Sequence, residues 1–133
     1  MSRGYWGGDD RRRFQRLKMN LAVFYKIESP EYACDITQDQ EIEATMLDLS
    51  SGGMAFLTRY NIPVWARLLL KFYLFKSDDT GMVSFSDPVE LIGEVRSNIM
   101  LNYNEYRVGI CFKAIHNESK TVVSDFVESV VRA

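Results

Sequence analysis

Histidine and cysteine are nearly missing from this chain of 133 residues, which has one histidine, His116, and two cysteines, Cys34 and Cys111. Two thiols without CxxC spacing fall short of the four convergent ligands that a structural zinc site needs. A lone histidine with no paired nucleophile leaves Ser/His/Asp or Cys/His catalysis little to work with, so an enzyme is not expected. No apolar run approaches the roughly 20 residues that cross a bilayer, so no membrane span is expected. The first ten residues carry glycines and acids where a signal peptide would need an apolar stretch. A cytoplasmic location follows as the expectation, and a disulfide does not. Cys111, inside an apolar run, reads as a small buried hydrophobe. The chain also has no internal repeat and no low-complexity tract.

What is there is ordinary in amount and uneven in placement. Apolar residues make up 47% of the chain, enough to bury a core and too many for a disordered polymer. The length suits one domain. The formal net charge is -2, but residues 1–20 carry six bases (Arg3, Arg11, Arg12, Arg13, Arg16, Lys18) against two acids. The remainder carries ten bases against sixteen acids. A basic arm on an acidic body suits a small anion or a phosphate-rich partner, or else is a solvated tail. The isoelectric point of about 5.4 argues against a domain built to coat duplex DNA, and no nucleic-acid partner is expected.

Residues 1–10 are Gly-rich and polar, with Tyr5 and Trp6 embedded, and read as a flexible N-terminal arm ahead of a domain spanning 11–133. From Asn20 the hydrophobic period is two: Leu21, Val23, Tyr25 and Ile27 alternate as one strand, and Ile42, Ala44 and Met46 as a second. Residues 28–40 between them read as a polar connection. Residues 48–53 form a turn, and a third strand leaves it over 54–58. Residues 67–75 are apolar on nearly both faces, which predicts a fourth strand covered on each side. Residues 76–88 read as a turn-rich connection. A fifth strand is expected over 89–97 and a sixth over 106–112, joined by a turn at 102–105. Val122, Val123, Phe126, Val127, Val130 and Val131 then recur at helical spacing, predicting an amphipathic helix over 118–132 with Asn117 as its N-cap. The fold class expected is mainly β: a six-stranded antiparallel, Greek-key-like barrel with a C-terminal helix.

Two segments carry chemistry. Arg11-Arg12-Arg13-Phe14-Gln15-Arg16 lies between the arm and the first strand. Arginine's planar fork donates to phosphate and to the guanine O6/N7 edge, and its flat face stacks on bases. Arg12 and Arg16 would share a face in a helical turn, or span about 13 Å if extended. The second segment is Asp48-x-Ser50-x-x-Gly53 at the turn between the second and third strands. Asp48, an acceptor only, suits the N1–H and N2–H₂ donors of guanine, and Ser50 offers a hydroxyl to phosphate. Gly52 and Gly53 would permit positive φ and close approach of a ligand to the backbone. The plainer alternative is that Asp48 and Ser50 only tie the turn. Trp65 beside Pro63 reads as core or rim packing rather than a base platform, and His116 as the start of the helix with no ligand role. Tyr5 and Trp6 could stack on a base, bind a partner or remain solvated.

The paired motifs resemble the PilZ domain, a bacterial receptor for cyclic di-GMP. Residues 92–96 (Ile92-Gly93-Glu94-Val95-Arg96) and 108–112 (Val108-Gly109-Ile110-Cys111-Phe112) look like the family's fifth and sixth strands, and the resemblance runs from Asp9 to the C-terminus. It implies a six-stranded barrel with a C-terminal helix, no cofactor, and cyclic di-GMP as the ligand. It implies that Arg12 and Arg16 hold guanine and phosphate, with Arg11 as the frequent extra arginine and Arg13 useful if two intercalated ligands bind. Asp48 would recognise guanine, while Ser50, Gly52 and Gly53 meet phosphate. The chain departs from the pattern in its long polar connection between the first two strands. At the end of the fifth strand, where some members present an aromatic platform, it has Arg96 and Ser97, so stacking there would need the Arg96 guanidinium. The function implied is second-messenger reception, relayed to a protein effector by ordering of the N-terminal arm. The rivals are a ligand-independent adaptor, a nucleic-acid-binding barrel, and a flavin-binding or hydrolytic barrel enzyme.

Overall fold

The computed structural model describes residues 17–85 and 87–132. Six strands close into an antiparallel barrel: β1 (Leu17–Ser29), β2 (Ile42–Ser50), β3 (Gly53–Thr58), β4 (Arg67–Phe72), β7 (Val89–Asn102) and β8 (Glu105–Ile115). Their order around the barrel is β1-β2-β3-β8-β7-β4. The chain therefore crosses one end of the barrel after β3 to place β4 beside β1, as the Greek-key expectation requires. Residues 59–66 make that crossing.

Period-two alternation, interrupted by a register shift between Met46 and Asp48 in β2, builds the core. Val23, Tyr25 and Ile27 from β1 meet Met46 and Leu49 from β2 and Met54 and Phe56 from β3. Leu68, Leu70, Phe72, Val95 and Val108 fill the other half. The rings of Tyr25 and Phe56 stack at 5.0 Å, within the range where aromatic pairs add to burial. The Tyr25 hydroxyl shares a 2.8 Å hydrogen bond with Thr58 Oγ1. Burial of that phenol pushes its pKa up to about 12, against the opposing effect of the Thr58 bond.

Several expectations are corrected. β4 ends at Phe72, and it is covered on one face only: Leu68, Leu70 and Phe72 are buried while Leu69 faces outward, 42% exposed. The connection before β2 contains a helical turn, α1 (Glu31–Cys34), and a 3₁₀ turn (Asp35–Thr37) that bury Ala33 and Thr37. The connection after β4 contains a small hairpin, β5 (Phe75–Ser77) and β6 (Val83–Phe85). Asp78 organises its turn, since Oδ1 accepts from the Thr80 amide (2.9 Å), the Thr80 hydroxyl and the Met82 amide (2.9 Å). The Thr80 hydroxyl bond, followed by these amides, holds the Asp78 carboxyl below its ordinary pKa. β7 and β8 each run past their expected ends and pair out to Asn102 and Glu105. Cys111 is only half-buried, because Val108 and Ile110 take the inward positions of β8.

The terminal helix, α2 (Asn117–Arg132), begins one residue earlier than expected. His116 O accepts the first helical bond from the Lys120 amide at 2.9 Å, so His116, not Asn117, occupies the N-cap position. Val123, Phe126 and Val127 are buried, whereas Val122, assigned to the same stripe by spacing, is half-exposed. α2 packs against β1 and β2, and Phe126 meets Phe75 of the β5–β6 hairpin edge to face at 5.1 Å.

Candidate functional site

The turn between β2 and β3 brings the second motif together. Asp48 sits near the C-terminal end of β2 and is 1% exposed; Ser50, two residues on, is also buried. Ser50 Oγ donates to the Gly53 carbonyl and accepts from the Gly52 amide, each at 3.3 Å. These are the local bonds of the plainer reading. They also hold the Ser50 hydroxyl in place. Gly52 O accepts from the Phe112 amide at 3.0 Å, clamping the turn to β8.

Both glycines act otherwise than expected. Among the described residues the one glycine with positive φ is Gly81, so neither Gly52 nor Gly53 supplies a left-handed turn. Gly53 is needed for close approach: it lies opposite Cys111 in the β3–β8 ladder, and a Cβ there would collide with the carbonyl oxygen of Ile110.

Arg107, which sequence reasoning missed, faces Asp48 from β8. Its Nη2 donates to Asp48 Oδ2 at 2.9 Å. The spacing in β8 does place Arg107 on the outward face with Gly109 and Cys111. Only the register of β8 against β3, and of β3 against β2, brings it to Asp48.

Backbone pairing shows where the basic segment joins the barrel. Leu17 is paired with Leu49 and Lys18 with Asp48. Leu17, the residue that follows Arg16 in the chain, thus starts β1 beside the Asp48–Ser50 strand end. Arg11, Arg12, Arg13 and Arg16 themselves, like the arm over 1–10, lie outside the described residues.

Arg96 is placed on β7, next to Ser97. Following the ladder from there, Ser97 is paired with Gly109, Gly109 with Ala55, and Ala55 with Asp48. Ser97 and Asp48 thus end one row, roughly 14 Å apart at the usual strand spacing, with Arg96 next to Ser97 on β7. Arg96 Nε donates to Glu94 Oε1 at 2.8 Å. Glu94 also draws Arg67 (3.7 Å) and Lys113 (3.7 Å), and these three cations shield it to near burial on an outward-facing position. Trp65 lies at the rim and not in the core. The residue is 64% exposed, and the Arg96 guanidinium lies over its ring at 5.0 Å.

The family model described as the PilZ domain matches residues 10–129. No curated protein sequence matches the chain. Among solved structures, the inhibitor of motility MotI (DgrA) of Bacillus subtilis superposes with a TM-score of 0.68 at 16% identity, covering 92% of this chain and 52% of that one. The MrkH–c-di-GMP complex of K. pneumonia gives 0.63 at 14%, covering 92% and 53%. The PilZ domain of YcgR from Escherichia coli with c-di-GMP gives 0.57 at 16%, covering 92% of each. The chain thus spans about half the length of the first two and nearly all of the third. At these identities the likeness establishes the barrel fold.

Proposed function

The chain belongs to the PilZ domain family, and from that premise we propose that it is a cyclic di-GMP receptor rather than an enzyme, with no cofactor of its own. The observation that carries the reading is the pairing of Leu17 with Leu49 and Lys18 with Asp48. It ties an arginine-rich segment, within one residue, to the strand that ends in a buried carboxylate and a held serine. Neither half would be notable alone. Guanidinium donors from one side and acceptors from the other are what a guanine carrying phosphate requires. That MrkH and the YcgR PilZ domain are described with c-di-GMP supports the same ligand here.

In this reading Arg12 and Arg16 take guanine and phosphate, assisted by Arg11 and, for a second ligand molecule, Arg13. Asp48 accepts from the guanine N1–H and N2–H₂ while Arg107 holds its orientation. Ser50 and the backbone at Gly52 and Gly53 meet phosphate, and Arg96 contacts a base from β7. Ligand binding orders the N-terminal arm against the barrel and changes the surface shown to a protein effector. Exposed Met100, Leu101 and Tyr103 at the β7–β8 tip are apolar surface that such a partner would cover. No helix among the described residues is long and apolar enough to cross a membrane. The contacts to ligand are charge-assisted, and those on exposed arginines weaken as salt rises.

Calorimetric titration with cyclic di-GMP, GTP and cyclic di-AMP in parallel tests the assignment. Saturable binding of cyclic di-GMP alone is expected, and its loss in Arg12→Ala with the unfolding midpoint unchanged. Asp48→Asn, which keeps the side chain's shape, should also lose most affinity. Undiminished affinity in both variants rejects the site.

A further inference from the structure

Trp65 is held in a way that packing does not explain. Its φ is 78°, a left-handed conformation that bulky L-residues rarely adopt. Two backbone bonds impose it: the Trp65 amide donates to Val95 O at 2.7 Å, and the Val95 amide donates to Ala66 O at 2.9 Å. The residue gains little burial in return, being 64% exposed. Against it lies a guanidinium whose plane is fixed from behind, because Glu94 takes the Arg96 Nε and is itself held by Arg67 and Lys113. An exposed indole with an oriented guanidinium over its ring offers flat surface on which a base can stack.

Resting on the cyclic di-GMP reading above, we infer that Trp65 and Arg96 form a second base subsite, where the guanine not taken by Asp48 stacks on the indole–guanidinium pair. The ligand carries a guanine at each end of a cyclic phosphodiester, and the row Asp48–Ala55–Gly109–Ser97 places the two base-binding walls at opposite ends of one face.

The test is calorimetric titration of cyclic di-GMP into the full chain and into Trp65→Gly, Trp65→Asn, Trp65→Phe and Asp48→Asn. Glycine and asparagine tolerate the left-handed backbone, so their unfolding midpoints should equal or exceed that of the unaltered chain. Their affinity should fall roughly 5- to 150-fold, the usual range for losing one stacked base. Trp65→Phe, which restores an aromatic face, should recover most of it. If the glycine variant does not fold, the asparagine variant decides. Affinity within twofold of the unaltered chain in a folded glycine or asparagine variant, with Asp48→Asn impaired, overturns the subsite and leaves the receptor reading standing. No binding by the unaltered chain overturns both.

Discussion

Gly53 shows how little room a single residue can leave. Its hydrogen occupies the space between β3 and the Ile110 carbonyl, where a methyl group would collide with backbone that cannot rotate away. Gly53→Ala is therefore expected to destabilise the barrel by about 1–3 kcal/mol through overpacking. Denaturant unfolding checks this, and a midpoint equal to that of the unaltered chain would show that the ladder can yield. The glycines were visible in the sequence as a turn signal, but the reason for them was not. Positive φ is a local property that Gly-Gly suggests, whereas the clash is with a residue 57 positions away. Asp48 is a similar case: its place in a motif was legible, its near-complete burial and its bond to Arg107 were not.

Among the elements, α2 and the β5–β6 hairpin depend on each other. Neither is strong alone, since the helix is rich in β-branched residues and a two-stranded hairpin is marginal in water. Phe126 is 6% exposed and meets Phe75 at 5.1 Å. Phe126→Ala should cost about 3 kcal/mol in unfolding free energy and speed hydrogen exchange in the amides of β5 and β6. Unchanged exchange in the hairpin would mean that the Phe75 contact does not anchor it. Alternation placed the strands of the barrel near their true positions, and helical spacing placed α2. The hairpin was hidden because three-residue strands carry no period to read. β4 looked two-sided because Leu69 is apolar, although it points away from the core.

For the molecule as a whole, the buried Tyr25 phenol makes stability sensitive to alkali. Its folded pKa of about 12 lies above the ordinary value of 10.0. Above pH 10 the unfolded chain loses this proton first, so its contribution is intact below that pH and declines as pH rises toward 12. Two units correspond to roughly 2–3 kcal/mol. Urea midpoints measured from pH 8 to 11.5 should fall more steeply for the unaltered chain than for Tyr25→Phe. At neutral pH that variant should lose about 1 kcal/mol with the Thr58 hydrogen bond. Equal slopes would show that the phenol is reached by solvent before the barrel opens.

Residue order alone determined the barrel's strands, its terminal helix, the family, and the two motifs, because periodicity and short motifs are written between near neighbours in the chain. Tertiary structure decided which distant residues meet. Arg107 reaches Asp48, three cations converge on Glu94, and Trp65 leaves the core to lie under Arg96, all through strand register and the crossing after β3. Register is set by closing the whole barrel over its core, so no local stretch of sequence contains it.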